Sequence, residues 1–211
     1  NLITKNLTNF KVDISKFDNL KKIKINKKID HVINLSGMID HSSDMQKGIQ
    51  LIENNFLGTI NIIKFIKNRK IKTFINIGSS DEYGNSKSPQ NENKIENPLT
   101  YYSLSKSITN NFLKMTKIKN NFPIVILRFF LVYGPNQNNK RLVPFVINSC
   151  LKNRKFHLTS GFQKRDFLFI DDAVESIFLA LNNNKAHGQV INIASGKAIS
   201  VRKIVNIIVK K

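Results

Sequence analysis

Tyr102 and Lys106 stand four residues apart in the run Tyr102-Ser103-Leu104-Ser105-Lys106. On a helix that spacing puts both side chains on one face. An ammonium beside a phenol favours the phenolate and draws its pKa down toward neutral pH. Such a Tyr can take the proton of a hydroxyl, or return it to a carbonyl, while hydride moves. Tyr and Lys four apart also occur by chance in many helices. What sets this pair apart is Ser79, just past the apolar run 73–77. Ligands of open parallel sheets bind outside the carboxyl ends of strands. A hydroxyl there polarises the oxygen that Tyr102 protonates, although a turn or a helix cap would also use a serine.

The scaffold for these residues is legible in the hydrophobic pattern. Residues 30–35 read as a buried strand running into Ser36-Gly37. Residues 46–68 read as a long helix, with Ile49, Ile52, Phe56, Ile60, Ile63 and Ile66 at three- and four-residue spacing. A strand at 73–77, a helix at 99–120 and a strand at 124–129 follow. Alternation of this kind predicts an α/β fold with a Rossmann-like, doubly wound parallel sheet, its crossovers right-handed. After Tyr133-Gly134-Pro135 the texture changes to an Asn-rich loop, a helix at 142–151, a strand at 166–170, a helix from Asp171, a strand at 190–193 and a helix from Ser200. We expect residues 1–135 to form the dinucleotide-binding portion. Residues 136–211 should form a smaller C-terminal substrate-binding lobe, with segments crossing back to the first.

In order along the chain, several runs resemble the extended short-chain dehydrogenase/reductase family, in its NAD-dependent epimerase/dehydratase branch. They are Asp13-Ile14, Leu35-Ser36-Gly37, Asn55-Phe56-Leu57-Gly58-Thr59, Ser79-Ser80-Asp81-Glu82-Tyr83-Gly84, Tyr102 with Lys106, Arg128-Phe129-Phe130-Leu131-Val132-Tyr133-Gly134-Pro135, and Arg165-Asp166-Phe167 before Asp171-Asp172. The resemblance implies NAD or NADP as cofactor and a nucleoside-diphosphate sugar as substrate. It implies catalytic roles for Ser79, Tyr102 and Lys106. Asp13, Ile14, Leu35, Ser36, Gly37, Asn55 and Phe129 join Tyr102 and Lys106 in lining the cofactor. Ser80, Leu131 and Arg165 are implied on the substrate side, with Arg165 on the diphosphate.

Three departures bear on the chemistry. No Gly-x-x-Gly-x-x-Gly occurs among the nine glycines. The glycine-rich turn that normally cradles the pyrophosphate, and the residue that selects NAD or NADP, are therefore expected before Asn1. The chain as given is expected to bind either cofactor very weakly and to show no turnover. The rest of the second lobe is expected beyond Lys211. Leu131 stands where the family often has a substrate-contacting Asn. Asp81 stands where many dehydratases of the family carry a Glu after the catalytic hydroxyl, which makes it a candidate acid or base for water loss. A polar strand-to-loop exit would equally explain Asp81 and Glu82. The outcome after oxidation stays open between epimerase, dehydratase and NAD(P)H-dependent 4-keto-sugar nucleotide reductase. A non-catalytic basic relative that lost cofactor binding is the remaining reading, against which the intact Ser79, Tyr102 and Lys106 set stands.

Composition fits this class. The chain has 211 residues, enough to bury a sizeable core, and 41% are hydrophobic. The single Cys150 excludes an internal disulfide. No apolar run approaches the roughly 20 residues of a membrane span, and residues 1–5 do not look like a signal peptide, so a cytoplasmic protein is expected. With 34 Lys and Arg against 14 Asp and Glu, the net charge is +20. The lysines are dispersed, and the one dense stretch, 21–28, reads as a solvated face. A nucleic-acid partner is not expected, whereas an anionic nucleotide sugar is also attracted by a basic surface. His31, His41, His157 and His187 lack metal-ligand spacing, and no metal is expected. Ala194-Ser195-Gly196-Lys197-Ala198 fails as a phosphate loop. A homodimer is among the assemblies left open.

Overall fold

A computed structural model describes residues 7–210. A short helix α1 (Phe17–Lys21) precedes strand β1 (His31–Asn34). Helix α2 (Met45–Leu51) starts at Asp44, whose carboxylate accepts the Lys47 N–H at 2.8 Å. It runs through a π-helical stretch, Ile52–Leu57, directly into α3 (Gly58–Ile66). The helix expected at 46–68 is thus one helical run with a widened turn in its middle. β2 (Thr73–Ser79), α4 (Tyr101–Asn120) and β3 (Ile124–Phe129) follow. Then come β4 (Leu131–Tyr133), α5 (Leu142–Leu151), β5 (Lys164–Phe169), α6 (Ile170–Leu181), β6 (Val190–Ile193), β7 (Ala198–Ser200) and α7 (Val201–Val209).

The large sheet has the order β1-β2-β3-β6, every pairing parallel. β2 and β3 are nearly continuous apolar runs, as strands covered on both faces must be. Alternate residues serve alternate faces. Phe74, Ile124 and Ile126 pack with Ile66 of α3 and Leu113 of α4. Ile75, Val125 and Leu127 pack with Ile177 and Ala180 of α6. The architecture is therefore a doubly wound, Rossmann-like α/β sheet. β6, from late in the chain, pairs beside β3 at the edge of this sheet.

A second sheet has the order β4-β5-β7, with β4 parallel and β7 antiparallel to β5. It packs with α5 and α7 around Val146, Phe167, Val201 and Val205. β4 and β7 are absent from the sequence-based reading, because three residues are too few for a period-two pattern to stand out. Among the described residues no helix is long and apolar enough to cross a membrane.

Candidate active site

Ser79 is the last residue of β2 and caps the 3₁₀ turn Ser80–Tyr83. Its Oγ accepts the Asp81 N–H at 3.2 Å, and Glu82 reaches back to accept the Ser79 N–H at 2.7 Å. The cap and the catalytic reading of Ser79 are compatible, because accepting from Asp81 leaves the hydroxyl hydrogen to donate elsewhere.

Tyr102 lies in the first turn of α4. That turn is fixed by a capping box in which the Thr100 side chain accepts the Ser103 N–H at 3.1 Å and the Ser103 Oγ accepts the Thr100 N–H at 3.0 Å. The ring is 7% exposed. Burial pushes its phenol up to about 12, while the Ser79 hydroxyl facing it pulls the other way. Asp81 and Glu82 add to the rise, and Arg141 opposes it. The expected depression by Lys106 is not found. Lys106 is also buried, and its Nζ donates to the Ile77 carbonyl at 3.0 Å. Desolvation lowers the Lys106 pKa, against the pull of Glu82. Tyr102 is a protonated phenol at neutral pH in this structure.

The cofactor-side residues converge on the same strand ends. Asn55 sits in the π-helical stretch, a common device at functional sites. Its Oδ1 accepts the Met38 N–H at 2.7 Å, and its Nδ2 donates to the Met38 carbonyl at 3.0 Å and to Ser105 Oγ at 2.8 Å. It thus ties the loop after β1 to α4. A Cβ on Gly37 would lie 3.1 Å from Lys106 Nζ and 3.4 Å from Asn55 Oδ1, a close approach that a side chain would have to open by a few tenths of an ångström. Asn61 donates to the carbonyls of Ile14 and Ser15, both at 2.9 Å, and holds the segment with Asp13 in place. A cavity of about 300 Å³ opens between these pieces, walled by Asp13, Ile14, Ser36 and Gly37 with Met38 and Asn54. Hydrogen bonds from Ser15 keep the Asp13 carboxyl below its usual value.

Other expected residues lie outside this convergence. Leu35 is 66% exposed, and Phe129 packs at the end of β3 against the α6-side core. Ser80 is half-buried in the 3₁₀ turn, with Asp81 exposed beside it. Leu131 and Arg165 are on the second sheet, with Leu131 paired to Phe167. The Arg165 guanidinium is exposed and folds onto the Lys164 carbonyl at 2.8 Å.

Several groups escaped the sequence reading. The His41 ring meets Tyr102 edge-on, with centroids 5.2 Å apart. Glu82, read as a polar exit, is fully buried and paired with Arg128, whose side chain is 1% exposed. The available signal was Arg128 itself, a cation inside the apolar run 124–129, which implies a buried partner. Among the described residues no group of three His, Cys, Asp or Glu could hold a metal.

Comparison with known proteins gives a consistent picture. The family model described as "NAD dependent epimerase/dehydratase family" matches residues 2–194. A dTDP-D-glucose 4,6-dehydratase of Dictyostelium discoideum is 30% identical over 94% of this chain and 49% of its own. Among solved structures, a UDP-N-acetylglucosamine 4-epimerase from Methanobrevibacter ruminantium M1, in complex with UDP-N-acetylmuramic acid, superposes with a TM-score of 0.88 at 27% identity, over 98% of this chain and 67% of that one. A UDP-glucuronic acid 4-epimerase mutant from Bacillus cereus, bound to NAD and a fluorinated UDP-sugar, gives 0.79 at 28% identity, over 94% and 62%. The chain spans about half the length of the curated relatives it matches.

Proposed function

The chain belongs to the NAD-dependent epimerase/dehydratase family, and from that premise we propose that it acts on a nucleoside-diphosphate sugar by transient oxidation of a sugar hydroxyl. The observation that carries this reading is the Ser79 hydroxyl, at the end of β2, acting on the buried Tyr102 phenol. NAD or NADP, once bound, supplies the hydride acceptor and donor. The residues present fit such a group, because Gly37 leaves a bare backbone against Lys106 and Asn55, with Asp13 and Ile14 across the cavity. Ser36 lines the same cavity, whereas Leu35 and Phe129 lie outside it.

In this reading Ser79 orients the sugar oxygen and Tyr102 exchanges its proton. Lys106, anchored on Ile77, presents its charge to the cofactor's ribose. The second sheet with α5 and α7 forms the substrate-binding lobe, where Arg165, Leu131 and Ser80 line the nucleotide sugar. The test is steady-state turnover of UDP-, GDP-, CDP- and dTDP-sugars with NAD or NADP by a longer form of the protein that carries the glycine-rich turn. A cytoplasmic location and a homodimer complete the proposal. For the dimer, Ile49 on α2 and Leu104, Phe112 and Met115 on the adjoining α4 are each at least 40% exposed, an apolar stripe that a second copy would cover.

A protonated phenol donates to a carbonyl, whereas oxidising a hydroxyl needs the phenolate, so a 4-keto-sugar reductase is the second reading. The role of Asp81 separates the dehydratase from the epimerase outcome. Dehydration needs an acid or base beyond Tyr102 to remove a neighbouring proton and expel hydroxide. Asp81→Asn is then expected to leave hydride transfer intact and to abolish solvent-deuterium incorporation at the adjacent carbon. Unchanged product formation would make Asp81 a loop residue only.

Arg165→Ala is expected to weaken nucleoside diphosphate binding by on the order of 1.5–3 kcal/mol, the worth of a charge-assisted contact. Cofactor affinity should not change. Calorimetric titration with UDP, GDP, CDP and dTDP checks this and ranks the bases. Equal affinities in parent and variant would remove Arg165 from the site.

A further inference from the structure

The buried pair of Glu82 and Arg128 exceeds what the fold requires. Replacing such a pair by apolar side chains often costs nothing, so placing one directly beneath the candidate reacting hydroxyl calls for another reason. The Glu82 carboxylate is held by Arg128 Nη2 at 2.7 Å and Nε at 3.1 Å, and by Asn110 Nδ2 at 2.8 and 2.9 Å. Its remaining contact is the Ser79 N–H at 2.7 Å. Arg128 also donates to Glu96 at 2.7 Å and lies over the Tyr83 ring, 4.5 Å from its centroid. Asn110 accepts from Asn76 at 3.0 Å, and Asn76 accepts from Asn34 at 2.8 Å. Asn34 in turn accepts from Ser36 on the cavity wall. A continuous chain of hydrogen bonds therefore runs beneath the strand ends from Ser36 to Ser79. It has no slack, since a Cβ on Gly78 would lie 2.7 Å from Glu82 Oε1 and 2.8 Å from Asn110 Nδ2.

We infer that Glu82 is a positioning residue: clamped by Arg128 and Asn110, it fixes the Ser79 amide and so aims the Ser79 hydroxyl at Tyr102. A solvent-exposed Glu would complete the capping box equally well. Only a buried and clamped one restricts the turn to a single geometry, and catalytic geometry is lost with small displacements. The inference rests on the proposed function for its catalytic consequence and on the hydrogen bonds alone for its structural one.

Two arms test it. In the first, amide hydrogen exchange is read on the chain by NMR. Glu82→Ala should speed exchange at Ser79 by about tenfold or more, the loss of one good hydrogen bond, while Ile75 and Ile77 in mid-β2 keep their protection. Glu82→Leu combined with Arg128→Met leaves no orphaned charge to unfold the protein and should give the same local loss. A folded variant with Ser79 still protected overturns the inference, as does loss spread evenly over β2. In the second arm, nucleotide-sugar turnover should fall in kcat with KM unchanged within about twofold, and adding Ser79→Ala should cost less than about threefold more. Independent, multiplicative effects overturn it. The second arm is read in a longer form of the protein that carries the glycine-rich turn; if that form turns over no nucleotide sugar, the proposed function fails, and the exchange arm alone decides the role of Glu82.

Discussion

Replacing Tyr102 by Phe, in a longer form of the protein that carries the glycine-rich turn, is expected to lower nucleotide-sugar turnover by about a hundredfold or more, the usual contribution of a positioned acid–base group. The change removes one hydroxyl from a ring whose packing, against His41 among others, is retained. The thermal midpoint should therefore stay within about a degree of the parent's, as for changes that touch no core feature. Steady-state rate and midpoint belong in one experiment, because a variant that lost both would report unfolding rather than chemistry. Near-normal turnover with an intact midpoint would remove Tyr102 from the reaction.

Arg128→Met should have the largest effect on stability. It strands the Glu82 carboxylate, which is 0% exposed, without a cationic partner in a low-dielectric core. Breaking a buried pair in this way costs about 3–5 kcal/mol, and at this chain length that is roughly 6–20 °C in midpoint. Glu82→Leu added on top should recover much of the loss, because the pair is then replaced rather than broken. Urea unfolding of both variants decides the point. A single variant as stable as the parent would show that the charges are solvated. Glu96 adds a pH signature. Burial pushes its carboxyl up, but bonds from Ser107, Lys114, Arg128 and Asn111 outweigh this and hold it below its ordinary 4.5. A depressed folded pKa gives stability that is complete above the ordinary value and is lost as pH falls through the lower folded one. Acid unfolding of the parent should therefore begin below pH 4.5.

How much of this was written in the sequence differs by element. The apolar runs at 73–77 and 124–129 became β2 and β3, Ser79 ends β2, and Lys106 lies beside Gly37 and Asn55. Local pattern sufficed because each feature is set by residues near in sequence. β4 and β7 depend instead on partners in β5 and carry no period of their own. Glu82 looked like a polar exit because its partner Arg128 is 46 residues away and meets it only across the β2–β3 pairing. The π-helical stretch was hidden too, since Ile49, Ile52 and Phe56 keep a regular helical spacing into it. The Tyr102 phenol was misjudged for a related reason. The spacing shows that Lys106 is near, but not that burial outweighs it or that its ammonium goes to Ile77.

The central claim is that Ser79 and Tyr102 act on a hydroxyl of a nucleotide sugar while hydride moves to NAD or NADP. It is tested most directly with UDP-, GDP-, CDP- and dTDP-hexoses deuterated at the 4 position, following deuterium into the cofactor by mass spectrometry after a single turnover. The account predicts transfer from one of these sugars in a longer form of the protein that carries the glycine-rich turn, and its loss, by about a hundredfold in rate, in Tyr102→Phe of that form. Deuterium transfer that proceeds equally in parent and variant, or a protein that binds these sugars and cofactor yet transfers none, would contradict it.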